Sequence, residues 1–309
     1  MEQIPHSDAL PSGTGVTSNP KQAIQHLTAR TAEIGGGITV ARLLPSRQRR
    51  MIGAWCFLDH AGPAVFAPGG GLRVGPHPHT GLQTFTWMLA GEVLHRDSLG
   101  HEQMIRPGQV NLMTAGYGIA HTEESPASET RAHAAQLWIA LPAGHTDIAP
   151  AFDHYPELPR WQENHCQFTL LAGMYCGKIA PANIYSPLLG MDLLSAHGAE
   201  LTLPLDPTFE YGVLPLEGRA DVAGMALAVD ELAYLPSGYD ALHLKLAAGT
   251  RALLIGGEPF ADQVTLWWNF VGRDRAYIAQ AQRDWAAKSP RFGEVKGFDG
   301  PRLTAPELP

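Results

Sequence analysis

From Ile38 to Ile255 the chain is a succession of short apolar or alternating runs cut by glycine- and proline-containing turn signals, and that punctuation leaves little room for anything but β-structure. Trp55 to Leu58, Gln83 to Leu89, Val110 to Met113 and Gln136 to Leu141 read as closely spaced strands. A second series runs through Phe168 to Ala172, Leu188 to Leu194, Ala199 to Leu205, Phe209 to Pro215, Ala226 to Ala228, Glu231 to Leu235, Leu242 to Leu246 and Arg251 to Ile255. Glycine (33) and proline (25) supply about a fifth of the 309 residues, which favours tight turns between strands over a helical bundle. With 45% hydrophobic and 17% charged residues the chain can bury a sizeable core in two domains.

Met1 to Ala29 mixes Ser, Thr, Gly, Pro and His without period and reads as a flexible arm. A Pro-rich connection (Pro150, Pro156, Pro159) divides the rest, giving expected domains over residues 30–155 and 156–272. Arg273 to Lys288 alone carries a long helical period, with Tyr277, Ile278, Ala281 and Trp285 on one side and Pro290 beyond its end, so residues 273–309 read as a closing helix and an extended tail. A weak repeat relates the halves. Ala115-Gly116 precedes His121 as Ser237-Gly238 precedes His243, and Gly91 and Gly218 end comparable strand-turn units. The spacing that places His77 and His79 before Gly91 places Pro204 and Asp206 before Gly218, which predicts a duplicated barrel with its chemistry in the first copy only.

A net charge of -8 argues against coating nucleic acid. Cys56, Cys166 and Cys176 form no Cys-x-x-Cys pair and no disulfide framework, which fits a reducing compartment. No basic segment followed by an apolar run opens the sequence, and no apolar stretch approaches the roughly 20 residues that span a bilayer. The expectation is a cytoplasmic protein without a membrane partner.

His77-Pro78-His79 is the sharpest local feature. In an extended segment alternate side chains share a face, so both imidazoles can address one point, and Pro78 excludes a central ladder position. His121 and Glu123 flank Thr122 in the same manner after the turn Thr114 to Gly118, so two strands could deliver three imidazoles and a carboxylate to one ion. With 14 histidines a chance His-x-His arises about 0.6 times per chain and a chance His-x-acid about 1.4 times, so neither pair decides alone. His95-Arg96-Asp97 and His145-Thr146-Asp147 share the second spacing and read as surface or turn residues.

The order of the whole block is more specific: Gly75-Pro-His-Pro-His-Thr-Gly81, a strand to Gly91, a hairpin through His95 to Gly100, then Arg106-Pro-Gly to Thr114-Ala-Gly-Tyr-Gly-Ile-Ala-His121-Thr-Glu123. It resembles the two motifs of the cupin superfamily, and more closely the pirin family, over nearly the whole chain after the arm, including Phe57-Leu-Asp-His60 and Gly257-Glu-Pro259. The resemblance implies an all-β fold of two tandem cupin barrels (double-stranded β-helix, jelly-roll) with a C-terminal helix. It implies one divalent metal ion per chain, held by His77, His79, His121 and Glu123, with iron(II) the ion associated with the family and nickel, copper, manganese or zinc as alternatives. It also implies quercetin 2,3-dioxygenase activity on a small aromatic, flavonol-like substrate with O2, Glu123 acting as catalytic base. The alternative is a non-enzymatic, iron-binding, redox-responsive regulator that docks on a partner protein.

Thr80, Leu82, Gln83 and Tyr117 depart from the usual pirin block, and Gln83 is a candidate to support the ligands from behind. Phe85, Trp87, Met113 and Tyr117 are candidate pocket walls, with ordinary core as the alternative. Cys56, Cys166, Cys176 and His243 read as structural, Arg47, Arg49 and Arg50 as a solvated loop, and Gly35 to Gly37 and Gly69 to Gly71 as turns.

Overall fold

The computed structural model describes residues 23–34 and 38–308, so most of the expected arm and the Gly35 to Gly37 turn lie outside the described residues. The first half builds a seven-stranded antiparallel sheet in the order Ala151–Tyr155, Val110–Thr114, Leu82–Ala90, Arg131–Ala140, Trp55–Val65, Ile38–Leu44, Arg30–Ile34. A four-stranded sheet, Arg73–His79, Ile119–Glu124, Val93–Asp97 and Glu102–Ile105, completes the barrel. The second half repeats the plan. Its larger sheet contains Glu231–Leu235, Glu210–Glu217, Thr250–Gly257, Leu188–Ser195 and Cys166–Tyr175, and its smaller one Ala199–Pro204, Ala241–Leu246, Ala220–Val222 and Met225–Leu227.

The two large sheets pack against each other through one core that takes Trp55, Phe85 and Leu137 from the first barrel and Leu171, Leu214 and Leu253 from the second. Leu82–Ala90 is therefore covered on both faces, which is why it lacks the apolar-polar alternation of a half-exposed strand. Trp55 pins the junction, its indole Nε1 donating to the carbonyls of Leu189 and Gly256 at 3.2 and 3.1 Å. Gly53 approaches so closely that a Cβ there would meet Gly257 Cα at 2.7 Å, and its φ of +52° is one that glycine adopts without strain. Its amide donates to Glu210 Oε1 at 2.6 Å.

Both chain ends cross between the halves. Gln25–Thr28, expected in the arm, is instead a strand antiparallel to Glu231–Leu235 of the second barrel, with Leu27 in the shared core, whereas Arg30–Ile34 joins the first barrel. At the other end the hairpin Thr265–Trp267/Phe270–Gly272 returns to the first barrel, Val271 donating its amide to the Thr80 carbonyl at 3.0 Å. Helix Arg275–Ala286 follows, opened by Asp274, whose carboxylate accepts from the Tyr277 amide at 2.7 Å. Its buried Ile278, Ala281 and Trp285 pack with Ala120, Phe270 and Phe292. The tail is more firmly docked than an extended surface segment: Phe292 is buried, and Leu303 donates its amide to the Pro76 carbonyl at 2.8 Å. No described helix is long and apolar enough to cross a membrane.

Candidate metal centre

Strand Arg73–His79 lies at the edge of its sheet, a position that tolerates Pro76 and Pro78, and among the described strands it pairs with Ile119–Glu124 alone. That register sets His77 opposite His121. One ring nitrogen from each of His77, His79 and His121 lies within 4.8 Å of the others, and all three rings are buried.

Their proton positions follow from their partners. His77 Nδ1 lies 2.9 Å from the Gly75 carbonyl and His79 Nδ1 3.1 Å from the Asn269 carbonyl, and because a carbonyl only accepts, both Nδ1 atoms carry the hydrogen. Burial pushes the imidazole of His77 down to about 4, and those of His79 and His121 well below their ordinary value, so the rings are neutral at pH 7. The Nε2 lone pairs of His77 and His79 are then left facing inward, with His121 Nε2 only 3.1 Å from His79 Nε2. Converging lone pairs with no donor between them suit a divalent cation, so the residues present fit a metal ion. Among the described residues this is the one such cluster of metal-ligating side chains.

Glu123 stands outside that tight group of nitrogens, after a register shift that follows His121, and its carboxylate lines the same cavity as the three imidazoles. It makes no hydrogen bond with another described residue, and burial alone pushes its carboxyl up to about 7.

The cavity has a volume of about 290 Å³ and reaches all three imidazoles. None of the four candidate wall residues lines it. Phe85 and Trp87 belong to the core between the barrels, Met113 packs in the buried cluster behind Phe57 and Trp138, and Tyr117 is exposed. Phe57 and Trp138 form the wall instead, stacked with centroids 4.0 Å apart, and the Trp138 ring meets His79 edge to face at 5.1 Å. On the cavity wall Arg42 grips the buried Asp59 through two bonds of 2.7 and 2.6 Å and lies over the Phe57 ring. Trp268, Asn269 and Leu303 arrive from the C-terminal hairpin and tail. Sequence reasoning missed these because no local pattern marks a residue that reaches the site from some 190 positions away.

Family models for pirin match residues 37–139, and for the pirin C-terminal cupin domain residues 190–293. The chain belongs to the pirin family. It is 63% identical to a Pseudomonas aeruginosa protein named "Putative quercetin 2,3-dioxygenase", over 97% of this chain and 95% of that one. It is 36% identical to a pirin-like protein of Caulobacter vibrioides, over 82% and 89% of the two chains. A crystal structure of quercetin 2,3-dioxygenase from Acinetobacter baumannii superposes with a TM-score of 0.91 at 51% identity, covering 93% of this chain and 96% of that one.

At several positions outside the histidine cluster the fold differs from the expectation. His95 and Asp97 are not surface residues but 3% and 2% exposed, beside His121. Burial lowers the His95 imidazole against the opposing pull of Asp97; Asp97, though burial opposes it, is held below the usual carboxylate range by hydrogen bonds from His95 and His101. Gln83 does not back a ligand: its Nε2 donates to Thr114 Oγ1 and to the Asn183 carbonyl, both at 2.9 Å. Arg49 is not simply solvated, since its guanidinium sits 3.6 Å above the Tyr234 ring at the barrel junction. Cys176 is exposed, whereas Cys56 and Cys166 are buried and their thiols pushed up to about 12 by burial. His243 is exposed and meets Thr202 Oγ1 at 3.1 Å.

Proposed function

We propose that the protein is a cytoplasmic, iron(II)-dependent quercetin 2,3-dioxygenase that opens the ring of a flavonol-like substrate with O2, using one ion per chain held by His77, His79 and His121. The observation that carries this reading is the convergence of three neutral, buried imidazoles at one end of an aromatic-walled cavity that also contains the unpartnered Glu123 carboxylate. The names of the Pseudomonas and Acinetobacter relatives support the enzyme over the regulator.

A divalent ion held there supplies Lewis acidity and, with iron, redox capacity to a bound hydroxylated substrate. The protein's own groups do the rest. Phe57, Trp138 and Trp268 offer ring surface to a planar aromatic molecule and keep water away from it. Glu123, with no protein donor on its oxygens, accepts the substrate hydroxyl proton as the substrate enters. Arg42 is neutralised by Asp59, so the wall carries a fixed dipole and not a bare charge, which suits an uncharged polyphenol.

The test is aerobic turnover of a flavonol panel by chain loaded with iron(II), and separately with nickel, copper, manganese and zinc, followed by loss of flavonol absorbance and by product mass. Substrate-dependent O2 consumption is expected. Metal-replete protein that consumes none of the panel with any ion would overturn the assignment.

A further inference from the structure

His121 is the ligand imidazole whose Nδ1 does not meet a carbonyl. It lies 3.3 Å from Nδ1 of His95, and His95 Nε2 lies 3.3 Å from Asp97 Oδ2. Phe152 stacks on the His95 ring with centroids 4.3 Å apart and planes 11° from parallel, so the imidazole cannot swing away. Asp97 is fixed in turn, its Oδ1 accepting from the amides of Leu99 and His101 at 2.9 and 3.1 Å and its Oδ2 meeting His101 Nδ1 at 2.9 Å.

A carbonyl, which only accepts, dictates the tautomer of the histidine bonded to it; an imidazole, which can donate or accept, does not. Two proton arrangements could join His121 to His95. In one, His95 carries its hydrogen on Nδ1 and donates to His121, which must then place its own hydrogen on Nε2, the atom that faces the other two ligands. In the other, His95 carries its hydrogen on Nε2, accepts from His121 Nδ1–H, and leaves His121 Nε2 bare. The Asp97 carboxylate, an acceptor beside His95 Nε2, selects the second.

We propose that His95 and Asp97 are positioning residues of the metal centre, acting together to hold His121 in the orientation and the tautomer that bind an ion. This rests on the metal-centre reading above. It also gives Asp97 a second task beyond closing the turn before strand Glu102–Ile105, and it explains why a carboxylate is buried there.

Asp97→Asn separates the two tasks. Asn Oδ1 still accepts the two turn amides, but its NH₂ now donates toward His95 Nε2, forcing the hydrogen of His95 onto Nδ1, against His121 Nδ1–H. His95→Leu removes the acceptor, and His95→Gln restores one acceptor and one donor. The full-length proteins are titrated with Co(II) in competition with a chelator, and the visible spectrum, which reports ligand geometry, is recorded; melting of the metal-free proteins checks the fold. Affinity is expected to fall about tenfold or more in Asp97→Asn and His95→Leu, with an altered Co(II) spectrum, and to stay near wild type in His95→Gln. If Asp97→Asn does not fold, the His95→Leu and His95→Gln pair decides on the same readouts. Wild-type affinity and spectrum in folded Asp97→Asn or His95→Leu overturn the positioning role alone. A wild-type protein that takes up no Co(II) overturns the metal-centre reading and this inference with it.

Discussion

Glu123 and His79 stand on one cavity but have different environments, and substitution should separate them. His79 has its Nδ1 committed to Asn269 and its Nε2 turned toward the other ligands, so His79→Ala deletes a donor that no neighbour replaces. The Glu123 carboxylate has no hydrogen-bond partner among the described residues, so Glu123→Gln changes charge and proton affinity without breaking a side-chain bond to them. Metal content measured by mass spectrometry should fall below one ion per chain in His79→Ala and stay close to it in Glu123→Gln, while flavonol turnover at matched metal content should drop on the order of 100-fold in Glu123→Gln. Turnover at the wild-type rate in metal-replete Glu123→Gln would remove its role as proton acceptor. At this scale, residue type and order made the three histidines and Glu123 visible in the sequence. Of the three His-x-acid pairs among the described residues, however, only distant strand pairing separates His121-Thr-Glu123 and His95-Arg-Asp97, which enter the site, from His145-Thr-Asp147, which begins on a short 3₁₀ turn. The carbonyls of Gly75 and Asn269 leave no trace at all, because every residue has one.

The strand Arg73–His79 does more than carry two of the clustered histidines; the C-terminal tail is laid along it. A Cβ on Gly75 would come within 2.4 Å of the Pro301 carbonyl oxygen, and two residues on, Leu303 bonds Pro76 and lines the cavity. Gly75→Ala should therefore lift the tail, at a cost of about 1–3 kcal/mol for the overpacked contact. Amides from Arg302 to Ala305 should then exchange faster with deuterium, and KM for an accepted substrate should rise more than kcat falls, because a cavity wall is displaced and the imidazoles are not. Unchanged exchange at Leu303 would show that the tail accommodates the methyl group. The strands themselves were largely legible, since runs of five or more β-favouring residues between turn signals carry their own pattern. The hairpin Thr265–Trp267/Phe270–Gly272 was not, because three residues are too few to establish a period. Helix Arg275–Ala286 was visible from its 3.6-residue spacing, but the barrel it would close on was not.

The molecule as a whole is two barrels tied at both chain ends, and repetition in the sequence indicated the duplication without indicating the crossings. Between the barrels lies a row of four titratable groups. His60 and His133 of the first barrel face each other with Nε2 atoms 2.8 Å apart; His60 Nδ1 meets Asp230 at 2.6 Å and His133 Nδ1 meets Glu217 at 3.2 Å, both acids coming from the second barrel. Arg251 is close enough to add its positive charge to the effect of His60. Burial first, then electrostatic repulsion from the facing His60 ring and from Arg251, lower the His133 imidazole to about 4, with Asp230 opposing. In the unfolded chain the same ring titrates near 6.5, so between pH 6.5 and about 4 the unfolded state binds a proton that the folded state refuses. Stability should thus be undiminished by this group above pH 6.5, fall as the pH drops through the window, and cease to fall on its account below about 4. One such proton contributes a slope of up to about 1.4 kcal/mol per pH unit. His133→Gln keeps a polar side chain at the junction but cannot titrate, so its urea midpoint, measured on metal-free protein at pH 7, 6 and 5, should decline less steeply than that of the wild type even if it starts lower. Parallel declines in the two proteins would mean that His133 takes up its proton equally in the folded and unfolded states, and that the junction between the barrels does not hold this imidazole neutral.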